Sequence, residues 1–176
     1  LAGGAAVDQV KTTDDRLYVG QNKAATSPLY RLHEGFVEFD FDTVGAVVPA
    51  DATVEAVTLR GMLRSKATSG RDFDIEVFSF DFGSTFTAAD WRTPDHLDFY
   101  PTMDPLPRCA IADTALLAVD VGFEFDDVAL VDAVQAALAG RKLRLVLASG
   151  RMRAATTPSG AEYVQLHSTE GSSIWN

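Results

Sequence analysis

Between residues 35 and 63 the chain alternates apolar and polar side chains with a period of two. Val37, Phe39 and Phe41 are separated by Glu38, Asp40 and Asp42, so an extended backbone carries one greasy face and one acidic face. After a proline-containing segment, VVPADAT, the positions Val57, Leu59, Gly61 and Leu63 alternate with Thr58, Arg60 and Met62. The pattern predicts strands at residues 35–42 and 55–64 around a tight turn, and with them an antiparallel sandwich.

The same period recurs along the chain. Residues 16–20 (RLYVG) read as a strand with Leu17 and Val19 on one face, followed by a polar loop at 21–28. Beyond a turn-rich loop at 65–71, residues 72–82 (DFDIEVFSFDF) form a strand whose apolar positions change phase between Val77 and Phe78. One regular strand cannot turn both sets toward a single core, so a bulge or burial on both faces is expected there. Further strands are predicted at 116–121, at 142–148 with Leu143, Leu145 and Leu147 inward, and at 161–168. Residues 127–138 break the alternation. Val131, Val134 and Leu138 fall on one helical stripe, Asp126 or Asp127 can cap its start, and Gly140 ends it. This helix is expected to close one end of the sandwich. Residues 83–114 contain Trp91 and four of the seven prolines and read as a long irregular connection.

Seven strands and one helix joined by long connections predict an all-β fold, a jelly-roll or Greek-key antiparallel β-sandwich with one short helix at about residues 127–138. An immunoglobulin-like sandwich is the alternative, weakened by the single cysteine and by the helix between late strands. Residues 1–13 (beginning LAGGAA) read as a flexible lead-in to a single domain over 14–176, and the start at Leu1 suggests a fragment or processed product.

Composition narrows the function classes. The chain has 176 residues and is 47% hydrophobic, enough for one domain with a real core. Its 25 acidic and 15 basic residues give a net charge of −10, which repels phosphate backbones and argues against nucleic-acid partners. No apolar run approaches the roughly 20 residues that span a bilayer, so no membrane insertion is expected. Cys109 is the only cysteine, which excludes an intrachain disulfide, and it reads as a small hydrophobe in a loop. Arg141, Lys142, Arg144, Arg151 and Arg153 form the one local excess of positive charge. They could meet an acidic glycan or an acidic subunit, but balancing the acidic strands is the expected role.

The order of motifs resembles the jelly-roll modules known as DNRLRE domains, which are close in form to carbohydrate-binding modules. That family shows an aspartate and an L-x-V-G segment, then an F-x-F-D strand, a P-x-G-A-T-I-x-x-A-x-L-x-L segment, and a late strand leading into S-x-E. The corresponding residues here are Asp15 with Leu17-Tyr18-Val19-Gly20, Val37-Glu38-Phe39-Asp40, the run from Pro49 through Ala52 and Thr53 to Leu59, and Ser168-Thr169-Glu170. Asp51 stands where glycine is common. The family continues past S-x-E into a closing strand, whereas this chain ends at Trp175-Asn176, so that strand is expected to be missing or supplied by a neighbour. The resemblance implies a secreted, cell-wall or phage-virion setting, non-catalytic binding to glycans or cell-surface material, and in some cases a structural calcium.

Candidate chemistry follows the same line. His33, His96 and His167 are widely spaced and sit in no nucleophile or zinc signature. The carboxylate pairs Asp40/Asp42 and Asp72/Asp74 could serve a glycosidase only if two carboxyls faced each other across a cleft. As alternating strand positions they read as a wet sheet face. Asp14 and Asp15 precede the first strand and Glu170 follows the last. In an antiparallel sandwich those strands can be neighbours, and the three carboxylates are the candidate Ca2+ ligands. Sugar recognition needs flat rings beside hydrogen-bonding groups. Trp91, Phe99 and Tyr100, with Arg92, Asp95 and His96 (and the nearby Asp98), supply both within the irregular segment, while Tyr30 and Arg31 precede the strand at 35. The ordinary alternative is that Trp91 and Phe99 plug the end of the sandwich.

The expectation is therefore a non-catalytic binding or adhesion module at an extracellular or virion surface, recognising glycan or cell-surface polysaccharide through the loop at 84–110. A virion spike, decoration or tail component that packs against other subunits or copies of itself is the alternative, since an open edge strand invites pairing. A polysaccharide-acting enzyme is the third reading.

Overall fold

The computed structural model describes residues 16–23, 26, 30–42, 48–69, 71–83, 108–154 and 156–168. Among these residues the chain forms ten strands: β1 (Arg16–Lys23), β2 (Tyr30–His33), β3 (Gly35–Asp40), β4 (Arg60–Ala67), β5 (Asp74–Ser79), β6 (Arg108–Asp113), β7 (Gly122–Glu124), β8 (Asp126–Asp127), β9 (Lys142–Ser149) and β10 (Ala161–His167). Two short helices, α1 (Leu130–Ala137) and α2 (Gly150–Arg153), flank β9. The strands form two five-stranded sheets, β2-β1-β10-β4-β7 and β3-β9-β5-β6-β8.

The pairing is nested. β1 pairs with β10, β3 with β9, β4 with β7 and β5 with β6, all antiparallel. A chain whose outer strands pair around its inner ones is a long hairpin. Rolling it up drops alternate pairs into opposite sheets, which is the wiring of a jelly roll. The all-β sandwich expected from the alternation is the observed fold.

The periodicity located the core. Val37, Phe39, Leu143, Leu145, Leu147, Ile75, Val77, Val19, Leu63, Val164 and Leu166 pack between the sheets. The phase change in β5 has a concrete outcome. Ile75 and Val77 face the main core, whereas Phe78 joins a second cluster with Val146, Ala148 and Met152 on the far side of the sheet. The β5–β6 ladder also slips at this point, between Val77 and Phe78.

Several expected elements differ. Residues 35–42 and 55–64 do not form a hairpin, because β3 and β4 belong to different sheets and the segment between them crosses over. Residues 52–59 precede β4 without a ladder partner, although Val57 and Leu59 still pack inward. The strand expected at 116–121 is a 3-10 turn, Thr114–Leu116, started by the Asp113 carboxylate accepting from the Ala115 amide, then a single bridge at Val119. Asp120 follows with φ 59°, which ends any ladder. Helix α1 starts later than expected because Asp126 and Asp127 pair with β6, but the Asp127 carboxylate still accepts from the Leu130 amide at 2.7 Å. Its buried stripe is Leu130, Val134 and Leu138 rather than one containing Val131. Cys109 lies in β6, not in a loop. It is buried, and its thiol donates to the Val77 carbonyl. The short strands β2, β7 and β8 and helix α2 carry too few residues to show a period.

Among the described residues two carboxylates are buried, and each meets at least one arginine. Glu76 accepts from Arg108 and from Arg153. Glu162 accepts from Arg151, Gln21 and the Ser159 amide. Burial pushes the Glu162 carboxyl up, but the Ser159 amide, Gln21 and Arg151 together outweigh it and hold the group below the ordinary carboxylate range. A carboxylate depressed in the fold stabilises it above the unfolded pKa of about 4.3 and loses that contribution as pH falls through the folded value. Glu162→Gln is therefore expected to cost about 3 kcal/mol at neutral pH. The gap to the parent chain should shrink as pH drops below about 4. Urea unfolding across pH 3–7 measures both.

Candidate functional site: a three-ring face on the outer sheet

The first and last described strands, β1 and β10, lie side by side with Arg16 opposite His167 and Gly20 opposite Tyr163. β2 adds to the other edge of β1, with His33 opposite Gly20 and Arg31 opposite Asn22. Val19 and Gln21 are buried between the sheets, so the alternation turns Tyr18, Gly20 and Asn22 outward. The same rule turns Tyr163 and Gln165 of β10 outward, since Glu162, Val164 and Leu166 are buried.

Three rings consequently meet on the outer face of the sheet. Tyr18 and His33 have centroids 5.5 Å apart, His33 and Tyr163 5.6 Å, and Tyr18 and Tyr163 6.0 Å, with the planes tilted by 34–56°. Each ring is half-buried. Gly20 makes this convergence possible. Its φ is +129°, and a Cβ there would stand 2.3 Å from the Glu162 carbonyl oxygen and 2.6 Å from the Tyr163 Cα. Only glycine fits, and aromatic rings from neighbouring strands cover the gap that it leaves.

Polar groups frame the rings. Gln165 lies opposite Tyr18, Asn22 follows Gly20 on the same face, and Ser65 and Ala67 of β4 border β10. Arg31 is exposed, and among the described residues it has no ion pair. Burial lowers the His33 pKa, and the positive charge of Arg31 lowers it further. The imidazole is therefore neutral near pH 7, with one nitrogen donating and one accepting.

Other charged side chains on the two sheets form ion pairs. Arg141 meets Asp42, Lys142 meets Glu38, and Arg144 bridges Glu38 and Asp81. Arg151 and Arg153 hold Glu162 and Glu76. The basic cluster thus balances the acidic strands, as expected. Lys66 pairs with Asp72 at 2.6 Å. Hydrogen bonds from Lys142 and Arg144 hold the Glu38 carboxyl below its ordinary range, and the Gly83 amide and Arg144 do the same for Asp81. Burial pushes the Cys109 thiol up to about 11, which makes it a poor nucleophile.

Of the residues singled out in the sequence for sugar or metal binding, Trp91, Arg92, Asp95, His96, Phe99 and Tyr100, and likewise Asp14, Asp15 and Glu170, lie outside the described residues. Arg31 is described, and it stands beside the three rings. The pairing of first and last strands that a calcium site would require is present. Among the described residues no three His, Cys, Asp or Glu side chains gather around a position for a metal ion. The ring face itself escaped sequence reasoning. Tyr18 and Tyr163 both occupy outward positions of strands expected to be neighbours, which was the available signal. His33 lies in a four-residue strand with no readable period.

No protein-family model matches the chain, and no match to it is found among curated proteins.

The His33 imidazole is expected to titrate below about 6.5, and Arg31→Gln to move its pKa upward, as followed by the pH dependence of the ring NMR signals. A histidine with a lowered folded pKa leaves the unfolded chain binding more protons. Its contribution to stability is therefore lost as pH falls below about 6.5 and regained above it.

Proposed function

We propose that the chain is a non-catalytic binding module that recognises glycan or cell-envelope material at an extracellular or virion surface. The observation that carries this reading is the cluster of Tyr18, His33 and Tyr163 on an open sheet face, framed by Arg31, Asn22 and Gln165. Planar rings stack against the apolar C–H faces of pyranoses, and the flanking amides and guanidinium supply hydrogen bonds to ring hydroxyls. The rings sit on β1, β2 and β10, whose backbones the sheet holds rigidly, so little ordering entropy opposes binding.

Three of the carboxylates favour binding over hydrolysis. A glycosidase needs one of two facing carboxyls held protonated. Glu38, Asp81 and Glu162 are all pulled the opposite way, toward ionisation, by donors that occupy their oxygens.

A panel of bacterial cell-wall and capsular polysaccharides, probed with the monomeric chain, tests the reading. At least one class should bind. Tyr18→Ala should weaken that binding tenfold or more, equivalent to about 1.4 kcal/mol, with the unfolding midpoint shifted by only a few degrees. Binding that is indifferent to Tyr18, or steady depolymerisation of the polysaccharide, would refute it.

A further inference from the structure

Scattered exposed aliphatic side chains are ordinary, but a concentration of them is informative. Among the described residues the exposed large hydrophobics are Leu116 (83%), Val119 (47%), Val121 (55%) and Val128 (60%), all within thirteen residues of one another. They share one rim of the sandwich. Val119 bridges to Leu63 of β4, and Val121 leads directly into β7, the terminal strand of one sheet. Val128 follows β8, the terminal strand of the other sheet, and its amide donates to the Cys109 carbonyl. The chain thus walks from sheet to sheet along this edge while holding four aliphatic side chains in solvent.

The same stretch is purely anionic. From Cys109 to Gly140 there are six carboxylates, Asp113, Asp120, Glu124, Asp126, Asp127 and Asp132, and no lysine, arginine or histidine. Arg60 compensates Glu124 at 2.8 Å. Among the described residues Asp120 has only His167, at 3.8 Å. Asp113 and Asp127 accept from backbone amides, which leaves their charge in place.

We infer that this β7–β8 edge is a docking surface for a different protein, one that presents apolar side chains within a cationic surround. An acidic rim repels anionic lipid and nucleic acid, so a membrane or a phosphate backbone is a poor occupant. A second copy is a poor occupant as well. It would bring the same negative rim, its clustered cations Arg141, Lys142, Arg144, Arg151 and Arg153 are already committed to its own carboxylates, and the exposed Arg31 beside its rings is a single charge against several. What remains is a basic protein face, steered by charge and held by contact with Leu116, Val121 and Val128. The edge lies across the sheet from the three-ring face, with β7 and β2 at opposite ends of the strand order, so both surfaces can be occupied together.

The test uses the whole chain and a fourteen-residue amphipathic Leu/Lys helix as the stand-in for a basic apolar surface. Its control is a Ser/Lys peptide of equal charge, and binding is read by calorimetry. The Leu/Lys peptide should bind saturably, one to one, and more weakly as salt rises. The triple variant Leu116→Ser, Val121→Ser, Val128→Ser keeps the net charge and removes only exposed side chains. It should lose affinity at least tenfold with its unfolding midpoint unchanged, and the Ser/Lys peptide should be as weak against the parent chain. Equal binding by parent and variant would mean that bulk charge alone attracts the peptide and would overturn the proposal. So would failure of the parent to bind, binding of anionic-lipid vesicles through the same residues, or a concentration-dependent dimer of the parent that the variant abolishes.

Discussion

The pairing of β1 with β10 is the constraint on which the rest of the molecule depends. It joins segments about 140 residues apart, as the buried bond from Gln21 to Glu162 shows. Such a long closure is entropically expensive and is offset only when both sheets come together over a shared apolar interior. Its register matters as much as its existence. A slip of β1 by one residue would turn Val19 to solvent and drive Tyr18 into the core. Gly20 resists that slip, because its left-handed backbone and missing side chain suit only the place opposite Tyr163.

Charge pairing is the second organising principle. A chain of net charge −10 would repel itself if its acids stood alone on neighbouring strands. The arginines and lysine of 141–153 lie across the sheet from those acids, and the two buried carboxylates receive arginines from the same segment. Two unlike regions stand out on the surface of the described residues. At the β2–β1–β10 side, half-buried rings stand beside an exposed arginine. At the β7–β8 side, exposed aliphatic side chains stand among carboxylates of which Glu124 is paired with an arginine. The apolar side chains of the two regions thus stand in opposite electrostatic settings.

Much of the fold could be read from the sequence, because period-two alternation reports which face of a strand is wet. The inward runs Val37–Phe39 and Leu143–Leu145–Leu147 were plain, as was the phase change at Val77 and Phe78. Strand partners were harder to read. The short segment between residues 42 and 55 looked like a hairpin turn, yet β3 and β4 part to different sheets, and nothing in their side chains announces that choice. Elements of two to four residues, such as β2, β7, β8 and α2, are held by tertiary contact and have no period of their own. The ring face was hidden for a related reason. Tyr18, His33 and Tyr163 are ordinary strand residues taken singly, and only the register of three strands brings them within 6 Å of one another.

The central claim is that the register of β1, β2 and β10 builds a recognition face. Titrating the isotope-labelled chain with a polysaccharide it binds, while following the side-chain NMR signals, tests this directly. The largest shifts are expected on the rings of Tyr18, His33 and Tyr163 and on the side chains of Arg31, Asn22 and Gln165. Shifts centred on residues 84–107, on the β7–β8 edge or on α1, with the three rings unmoved, would contradict it.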